Sequence, residues 1–258
     1  MPETTPVIEL RNVSKRFGAL EVLRNVDLSL HAGQTTVVIG ESGTGKSVLL
    51  KHIIGLLKPD RGEVWFKGQR VDHCSERERN KSRVKFGFLF QGGALFDSMT
   101  AGQNVGFPLR EHTRKSRAEI DRIVAEKLHR VGLDGIQAKK PAELSGGQRK
   151  RVALARAIAL DPEVILYDEP TTGLDPPRAD GINELILKLK RELNVTGVVV
   201  THDMTSAYKV GDRLVMLHEG GFIADGTPDE IRASTDSRVR RFIEGRAGDD
   251  ELRDLRGE

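Results

Sequence analysis

Eight consecutive residues, Gly40-Glu41-Ser42-Gly43-Thr44-Gly45-Lys46-Ser47, carry the spacing that wraps a phosphate. The glycines let successive backbone N–H groups curl around an anion, and a helix N-terminus behind them adds its positive dipole end. In such a loop Lys46 reaches the β- and γ-phosphates and the Ser47 hydroxyl binds Mg²⁺. The flanks agree: Thr35-Thr36-Val37-Val38-Ile39 reads as a buried strand before the loop, and an apolar helix from about Lys46 to Leu57 follows it. A glycine-rich turn that binds nothing would explain Gly43 on steric grounds. It gives no reason for Lys46 so near a buried strand.

A second chemical cluster closes another strand. Val164-Ile165-Leu166-Tyr167 runs apolar into two carboxylates, Asp168 and Glu169. Ligands of open α/β sheets gather at the carboxyl ends of strands. There Asp168 would hold Mg²⁺, directly or through water, and Glu169 would take a proton from an attacking water. A solvated acidic pair is the plain alternative, and the phosphate loop in the same sheet weighs against it. Twenty residues upstream, Leu144-Ser145-Gly146-Gly147-Gln148 opens a helix whose serine and glycine amides form a further anion-binding terminus. One nucleotide has one γ-phosphate, already held by the first loop, so the economical use of this terminus is on the nucleotide of a second subunit.

The elements that must place these groups alternate between strand and helix. Residues 7–30 alternate apolar and polar in the manner of a strand, with a turn at Ala32-Gly33. Pro59-Asp60-Arg61-Gly62 reads as a turn, and Glu63–Lys67 and Phe86–Phe90 as strands. Residues 91–161 read as mostly helical, with a capping box at Ser116-Arg117-Ala118-Glu119 opening a helix to about Val131, and a buried helix over Gln148–Leu160 that is apolar nearly all round. The α/β alternation then resumes: a helix over Pro176–Leu193 with Asp175 as N-cap, strands over Val198–Thr201 and Leu214–Leu217, and a short helix capped by Thr227. Arg238–Glu258 reads as one helix and a solvated tail, with docking on another chain as the alternative. The whole suggests a parallel-sheet core, a helical insertion over about 92–160, and a small antiparallel sheet from the N-terminal end.

The chain has 258 residues, 38% apolar and 31% charged, enough for a sizeable core of ordinary globular character. A net charge of +3 spread along the chain reads as a mixed solvated surface, though an anionic membrane or nucleic acid would also tolerate it. Cys74 is the one cysteine, which excludes an intrachain disulfide and fits a reducing compartment. Met1–Pro6 lacks the basic and apolar regions of a signal peptide, and no apolar run approaches the ~20 residues needed to span a bilayer. Six histidines, His31, His52, His73, His112, His129 and His218, show no metal-ligand spacing.

With these motifs in this order, the sequence resembles the ABC ATPase family over nearly its whole length. The resemblance implies an α/β fold of the P-loop NTPase (RecA-like) class, with an N-terminal antiparallel β subdomain and an inserted helical subdomain. A single nucleotide-binding domain would cover residues 1–245, with a charged tail over 246–258. It implies ATP and Mg²⁺ as ligands, and further site residues. Phe17 stands where the family places an adenine-stacking aromatic, a core Phe being the alternative. Gln91 looks like the glutamine that touches Mg²⁺ and water and faces the membrane partner. Thr172-Gly173-Leu174-Asp175 looks like the loop that crosses the dimer interface, with Thr172 where Ser is frequent. His202 looks like the switch histidine on the γ-phosphate. The implied assembly is a head-to-tail dimer that closes on two ATPs and rests on integral membrane permease chains, with no nucleic-acid partner. Such a motor sits peripherally on the cytoplasmic face of the inner membrane. Phe90-Gln91-Gly92-Gly93-Ala94-Leu95-Phe96 and Asn104-Val105-Gly106-Phe107-Pro108-Leu109-Arg110-Glu111-His112 resemble the ATPases of Mla/Mce-type phospholipid transporters, which would add an Mce-type lipid-binding chain. Asp is frequent in the family where Gly92 or Gly93 stands. An importer ATPase for polar amino acids or another small solute, a soluble ABC ATPase of DNA repair or translation, and a P-loop kinase are the other readings; the last would not need Leu144–Gln148.

Overall fold

The computed structural model describes residues 5–246. Met1–Thr4 and 247–258, which include most of the charged tail, lie outside the described residues. Among the described residues ten strands and nine α-helices follow one another: β1 Ile8–Phe17, β2 Leu20–Leu30, β3 Thr35–Ile39, α1 Lys46–Ile53, β4 Arg61–Phe66, β5 Gln69–Arg70, α2 Glu76–Arg83, β6 Phe86–Leu89, α3 Ala101–His112, α4 Arg117–Arg130, α5 Gly146–Ala157, β7 Val164–Asp168, α6 Pro176–Leu193, β8 Thr196–Thr201, α7 Met204–Val210, β9 Arg213–His218, β10 Gly221–Gly226, α8 Pro228–Arg232 and α9 Ser237–Ile243.

Two sheets form. The central one has the order β10-β9-β3-β8-β7-β6, parallel except for the antiparallel edge strand β10; the other is antiparallel, in the order β2-β1-β4-β5. The central strands are covered on both faces, which is why β3, β7 and β8 are buried along their whole length. Side chains alternate between the faces with period two. Val38, Val198, Val200 and Leu166 meet α1 and the antiparallel sheet in one core. Val37, Ile39, Val199 and Tyr167 meet α3 to α6 in the other. The helices α3 to α5 lie in chain between β6 and β7 and pack on one another.

Several boundaries differ from the sequence reading. Helix α1 stops at Ile53 rather than near Leu57, because Gly55 takes a left-handed φ of 70° and turns the chain. The turn at Pro59–Gly62 is shorter, because Arg61 pairs with Ser14 and already belongs to β4. Helix α5 begins two residues earlier and ends at Ala157, and its first turns carry Gln148, Arg149, Lys150 and Arg151, so it is not apolar all round. Strand β6 ends at Leu89, one residue short of Phe90. Helices α2 and α7 and strand β10 escaped the sequence reading. The terminal helix is short, closing at Ile243.

Candidate active site

The phosphate loop leaves β3 and enters α1 through Gly45, whose φ of 102° only glycine adopts without strain. Among the described α-helices α1 alone lacks a side-chain N-cap; the others are capped by Ser75, Thr100, Ser116, Ser145, Asp175, Asp203, Thr227 and Asp236. Its first N–H groups therefore stay free for an anion. Glu41, Ser42 and Gly43 form an exposed lip, and Thr44 closes it by donating its hydroxyl to the Glu41 carbonyl at 2.9 Å. Lys46 is buried, and its Nζ donates to the carbonyls of Gly40 and Glu41, both at 2.7 Å. Burial pulls its pKa below the usual lysine value, while Glu169, Asp168 and Glu41 pull it back up.

The strand order brings the other groups to the same edge, since β8 separates β3 from β7 and β6 flanks β7. Ser47 Oγ donates to Asp168 Oδ1 at 2.8 Å, joining residues 121 positions apart. Burial raises the Asp168 pKa, Ser47 opposes this, and the neighbouring Glu169 adds to the rise. Glu169 follows directly. It is a buried carboxylate on a left-handed backbone (φ 49°), a conformation that costs a non-glycine residue about 1–3 kcal/mol and marks constrained sites. Its Oε1 lies 3.0 Å from His202 Nδ1, and its Oε2 accepts from Thr172 Oγ1 at 3.1 Å and Thr201 Oγ1 at 3.4 Å. When Nδ1 donates to Glu169, a neutral His202 ring offers Nε2 as an acceptor and a protonated ring offers a second donor. Gln91 is exposed two residues beyond the Leu89–Tyr167 pairing, at the mouth of the same edge.

Two predicted groups stand apart from this cluster. Phe17 is 47% exposed, so it is no core residue. It pairs with Leu20 at the tip of the β1–β2 hairpin, two residues from Val22, which packs on Gly45. The serine–glycine box at the start of α5 packs on Leu174 and Arg178 instead of the phosphate loop. Ser145 and Gln148 close a capping box: Ser145 Oγ accepts from the Gln148 N–H at 3.3 Å, and Gln148 Oε1 accepts from the Ser145 N–H at 2.9 Å. The Gly146 and Gly147 amides, at the first two helical positions, keep no intrahelical partner.

Thr201 and Lys150 escaped the sequence reading, and Thr172, expected there only in the interface loop, also reaches Glu169. Thr201 and Thr172 steady its carboxylate, and Lys150 Nζ donates to its backbone carbonyl at 3.0 Å. Lys150 left a trace in the sequence, as a lysine at i+3 from Gly147 on the face of a helix that turns inward.

An aromatic groove of about 410 Å³ lies where β6 meets the helices, lined by Phe88, Phe90, Phe96, Phe107 and Pro108. Phe90 is stacked on Phe88 with centroids 4.1 Å apart, and Phe96 meets Phe107 at 5.0 Å. Asn104 is fully buried and fixes the loop before α3: its Nδ2 donates to the carbonyls of Phe96, Met99 and Thr100, and its Oδ1 accepts from the Phe96 N–H. Arg156 anchors the other wall by donating to the carbonyls of Gly93 and Ala94. The Asn104–His112 stretch therefore both packs the helices and presents Phe107 and Pro108.

A parallel sheet with a phosphate loop after one strand and an acidic pair closing a near neighbour defines a P-loop nucleoside triphosphatase. The chain belongs to the ABC transporter family of ATP-binding proteins, whose pattern residues 23–172 match. It is 45% identical over 239 residues to the probable ribonucleotide transport ATP-binding protein mkl of Mycobacterium leprae, covering 93% of this chain and 69% of that one. It is 43% identical to the intermembrane phospholipid transport system ATP-binding protein MlaF of Haemophilus influenzae, covering 93% and 90%. A dimeric ATP-binding cassette in a post-hydrolysis state with ADP and Pi superposes with a TM-score of 0.80 at 37% identity, covering 86% of this chain and 98% of that one. The protein is thus an ATP-hydrolysing ABC subunit with the expected α/β P-loop fold.

Proposed function

We propose that the chain is the motor of a phospholipid transporter, hydrolysing ATP at the edge where Lys46, Ser47, Asp168, Glu169 and His202 meet. The observation that carries the hydrolytic reading is the convergence of these five groups from three strand ends of one sheet. Lys46 leaves the Gly40 and Glu41 carbonyls to bind the β- and γ-phosphates, and the free N–H groups of α1 and the loop amides of Gly40–Gly45 complete the cradle. Phe17 stacks on the adenine.

Ser47 and Asp168 fit a Mg²⁺ site. They are hard oxygen donors, and their 2.8 Å separation suits adjacent corners of an octahedron with bonds of about 2.0–2.1 Å. Such an ion would neutralise charge on the β- and γ-oxygens, with Gln91 reaching it or its water. Glu169 accepts a proton as a water oxygen bonds to the γ-phosphorus and the bond to the β-phosphate bridging oxygen breaks, giving ADP and phosphate. His202 holds the Glu169 carboxylate through Nδ1 and contacts the γ-phosphate when protonated.

The Ser145–Gly147 terminus has other neighbours than its own phosphate loop, so it serves the nucleotide of a second copy. Two chains then close head to tail on two ATPs, with Thr172–Asp175 along the seam, and each is one nucleotide-binding domain whose residues 92–160 relay the motion. Membrane permease chains seat an apolar helix in the Phe90–Phe96–Phe107 groove, which puts the motor on the cytoplasmic face of the inner membrane. No described helix is long and apolar enough to cross a bilayer. The likeness to a phospholipid transport ATPase at 43% identity, covering 90% of that protein, supports the lipid cargo. An Mce-type lipid-binding chain is the further partner of this reading.

Replacing Glu169 by Gln tests the hydrolytic part. Loss of a general base is worth about 10²–10⁴ in rate, and an ATP-bound dimer should accumulate. Wild-type turnover in that variant would remove Glu169 from the role. Gentle solubilisation of native membranes, followed by mass spectrometry of copurifying proteins and lipids, tests the cargo. A permease with bound phospholipid supports the proposal. A solute permease would favour small-molecule import, which the likeness to mkl, named for ribonucleotide transport, makes the next reading.

A further inference from the structure

Lys150 has no part in the chemistry described above, yet it is almost fully enclosed, with 6% of its surface exposed. It lies in the second turn of α5, three residues after Gly147 and on the same inward face. The one hydrogen bond of its side chain among the described residues goes to the backbone carbonyl of Glu169, 3.0 Å from Nζ. We propose that Lys150 is a positioning residue for ATP hydrolysis: it fixes the left-handed Glu169 peptide, and it ties the base to the helix that Ser145-Gly146-Gly147 opens. This rests on the reading of Glu169 as general base.

A left-handed non-glycine residue persists only where its surroundings over-determine it. Three of the four polar groups of Glu169 are held by the sheet and its loops. The N–H donates to the Val200 carbonyl at 3.0 Å, and the two carboxylate oxygens meet His202, Thr172 and Thr201. The carbonyl is the fourth: it accepts from the Thr172 N–H at 3.3 Å within the loop and from Lys150 Nζ at 3.0 Å, the contact that comes from outside it. A hydrogen bond from an ammonium is stronger than one from a neutral donor, so this contact resists rotation of the peptide. Methionine would fill the same space at the same length without desolvating a charge. The ammonium is instead buried at a cost visible in its pKa, which burial lowers to about 8 against the pull of Glu169 and Asp168. Packing alone therefore does not account for a lysine here.

The contact joins two parts of the proposed cycle. In the closed dimer the first turn of α5 meets the nucleotide of the partner, while Glu169 serves the chain's own nucleotide. A helix moves as a rigid element, so a nucleotide engaged at Ser145–Gly147 sets the position of Lys150, and through it the base at the other site.

The test compares Lys150→Met, Lys150→Arg and Glu169→Gln in the full-length chain, each alone, and the Met change added to Glu169→Gln. Lys150→Met should lower kcat on the order of tenfold while KM for ATP stays within about twofold, the pattern of an interaction that matters beyond substrate binding. Lys150→Arg, which keeps a charged donor, should recover most of the rate. On the Glu169→Gln background the Met change should cost nothing more, because residues acting through one group are non-additive. Three results would overturn the proposal: full kcat in Lys150→Met, a folded Lys150→Arg as slow as Lys150→Met, or an undiminished tenfold loss on the Glu169→Gln background. If Lys150→Met does not fold, Lys150→Gln, a neutral and shorter donor, takes its place in both comparisons and the same results decide. Full turnover in Glu169→Gln alone is a separate outcome, which strikes the base reading and the proposal with it; a slow Glu169→Gln beside a fast Lys150→Met strikes only the proposal.

Discussion

Two glycines of the phosphate loop should part company when each is replaced by alanine. Gly43 and Gly45 both take positive φ, 84° and 102°, so each substitution incurs a backbone cost of about 1–3 kcal/mol. Their surroundings differ. A Cβ on Gly43 meets no atom within 4 Å, whereas one on Gly45 falls 2.8 Å from Val22 Cγ1 and 3.0 Å from the Val22 carbonyl oxygen. The Val22 methyl can rotate away, but the carbonyl belongs to β2 and moves only with the strand. Overpacking of that kind adds roughly 1–3 kcal/mol. The backbone cost is common to both, so the difference isolates the overlap. At about 2–4 °C per kcal/mol for a chain of this size, Gly45→Ala should melt roughly 2–12 °C below Gly43→Ala. Nucleotide binding should separate in the other direction. The methyl of Gly43→Ala enters space that the proposed phosphates need, so its ATP affinity should fall about tenfold or more, some 1.4 kcal/mol, with the fold retained. Thermal melts without nucleotide and titration with a fluorescent ATP analogue give the two readouts. Equal melting of the two variants would refute the reasoning, by showing that β2 yields freely around the loop.

Phe17→Ala should raise KM for ATP about threefold to tenfold with little change in kcat or melting. Aromatic stacking is worth about 0.5–1.5 kcal/mol, and the half-exposed ring contributes little to the core. Asp168→Asn should raise the melting temperature at neutral pH in the absence of nucleotide and Mg²⁺, while ATP hydrolysis collapses. The sign follows from the raised pKa: the ionised carboxylate is worse off folded than unfolded, so native stability falls as pH climbs from the unfolded pKa through the folded one, and the amide removes that penalty. The gain should vanish in melts taken below the unfolded pKa. Phe96→Asp should abolish capture of the chain by its membrane partners yet leave basal ATP turnover within about twofold, because that 42% exposed ring lines the aromatic groove and not the nucleotide edge.

Where sequence and structure agree, local chemistry and tertiary context point the same way. Asp175-Pro176 opens α6 as expected because an Asx cap and a proline at the first helical position need no tertiary help. Strands β3 and β7 were legible as apolar runs, and the phosphate loop and acidic pair as fixed-spacing motifs at their ends. The misses are also local. Helix α2 has no buried residue, so it leaves no apolar period to read, and only its Ser75–Glu78 capping box announces it. Strand β10 carries two glycines and an acid, and it exists because it pairs with β9. In the site, what escaped were single side-chain contacts: Thr201 on the Glu169 carboxylate, Lys150 on the Glu169 carbonyl, and Lys46 on the carbonyls of Gly40 and Glu41. Such bonds need only a donor of sufficient reach, and they leave no spacing in the sequence.

Those same contacts pair the charged groups of the nucleotide edge with partners inside the chain. Two ammoniums, Lys46 and Lys150, and two carboxylates, Asp168 and Glu169, are buried within one cluster, so their formal charges cancel. Lys46, Asp168 and Glu169 each carry a local partner that stands in for something else. Lys46 rests on two loop carbonyls where phosphate oxygens would come. Asp168 takes the Ser47 hydroxyl, with which it would share a cation. The Glu169 carboxylate is turned to His202 and two threonines. Every stand-in keeps a buried group from being left unpaired, which would cost about 1–3 kcal/mol for a neutral group and more for a charged one. Binding of nucleotide then exchanges hydrogen bonds instead of creating them, so much of the gross attraction for the triphosphate is spent releasing Lys46 and Ser47. Tight geometry and modest affinity follow together, and a motor that must release ADP in each cycle requires both. Lys46→Met should therefore weaken ATP binding by less than the loss of two full charge-assisted bonds, because the wild-type lysine already had two partners to give up.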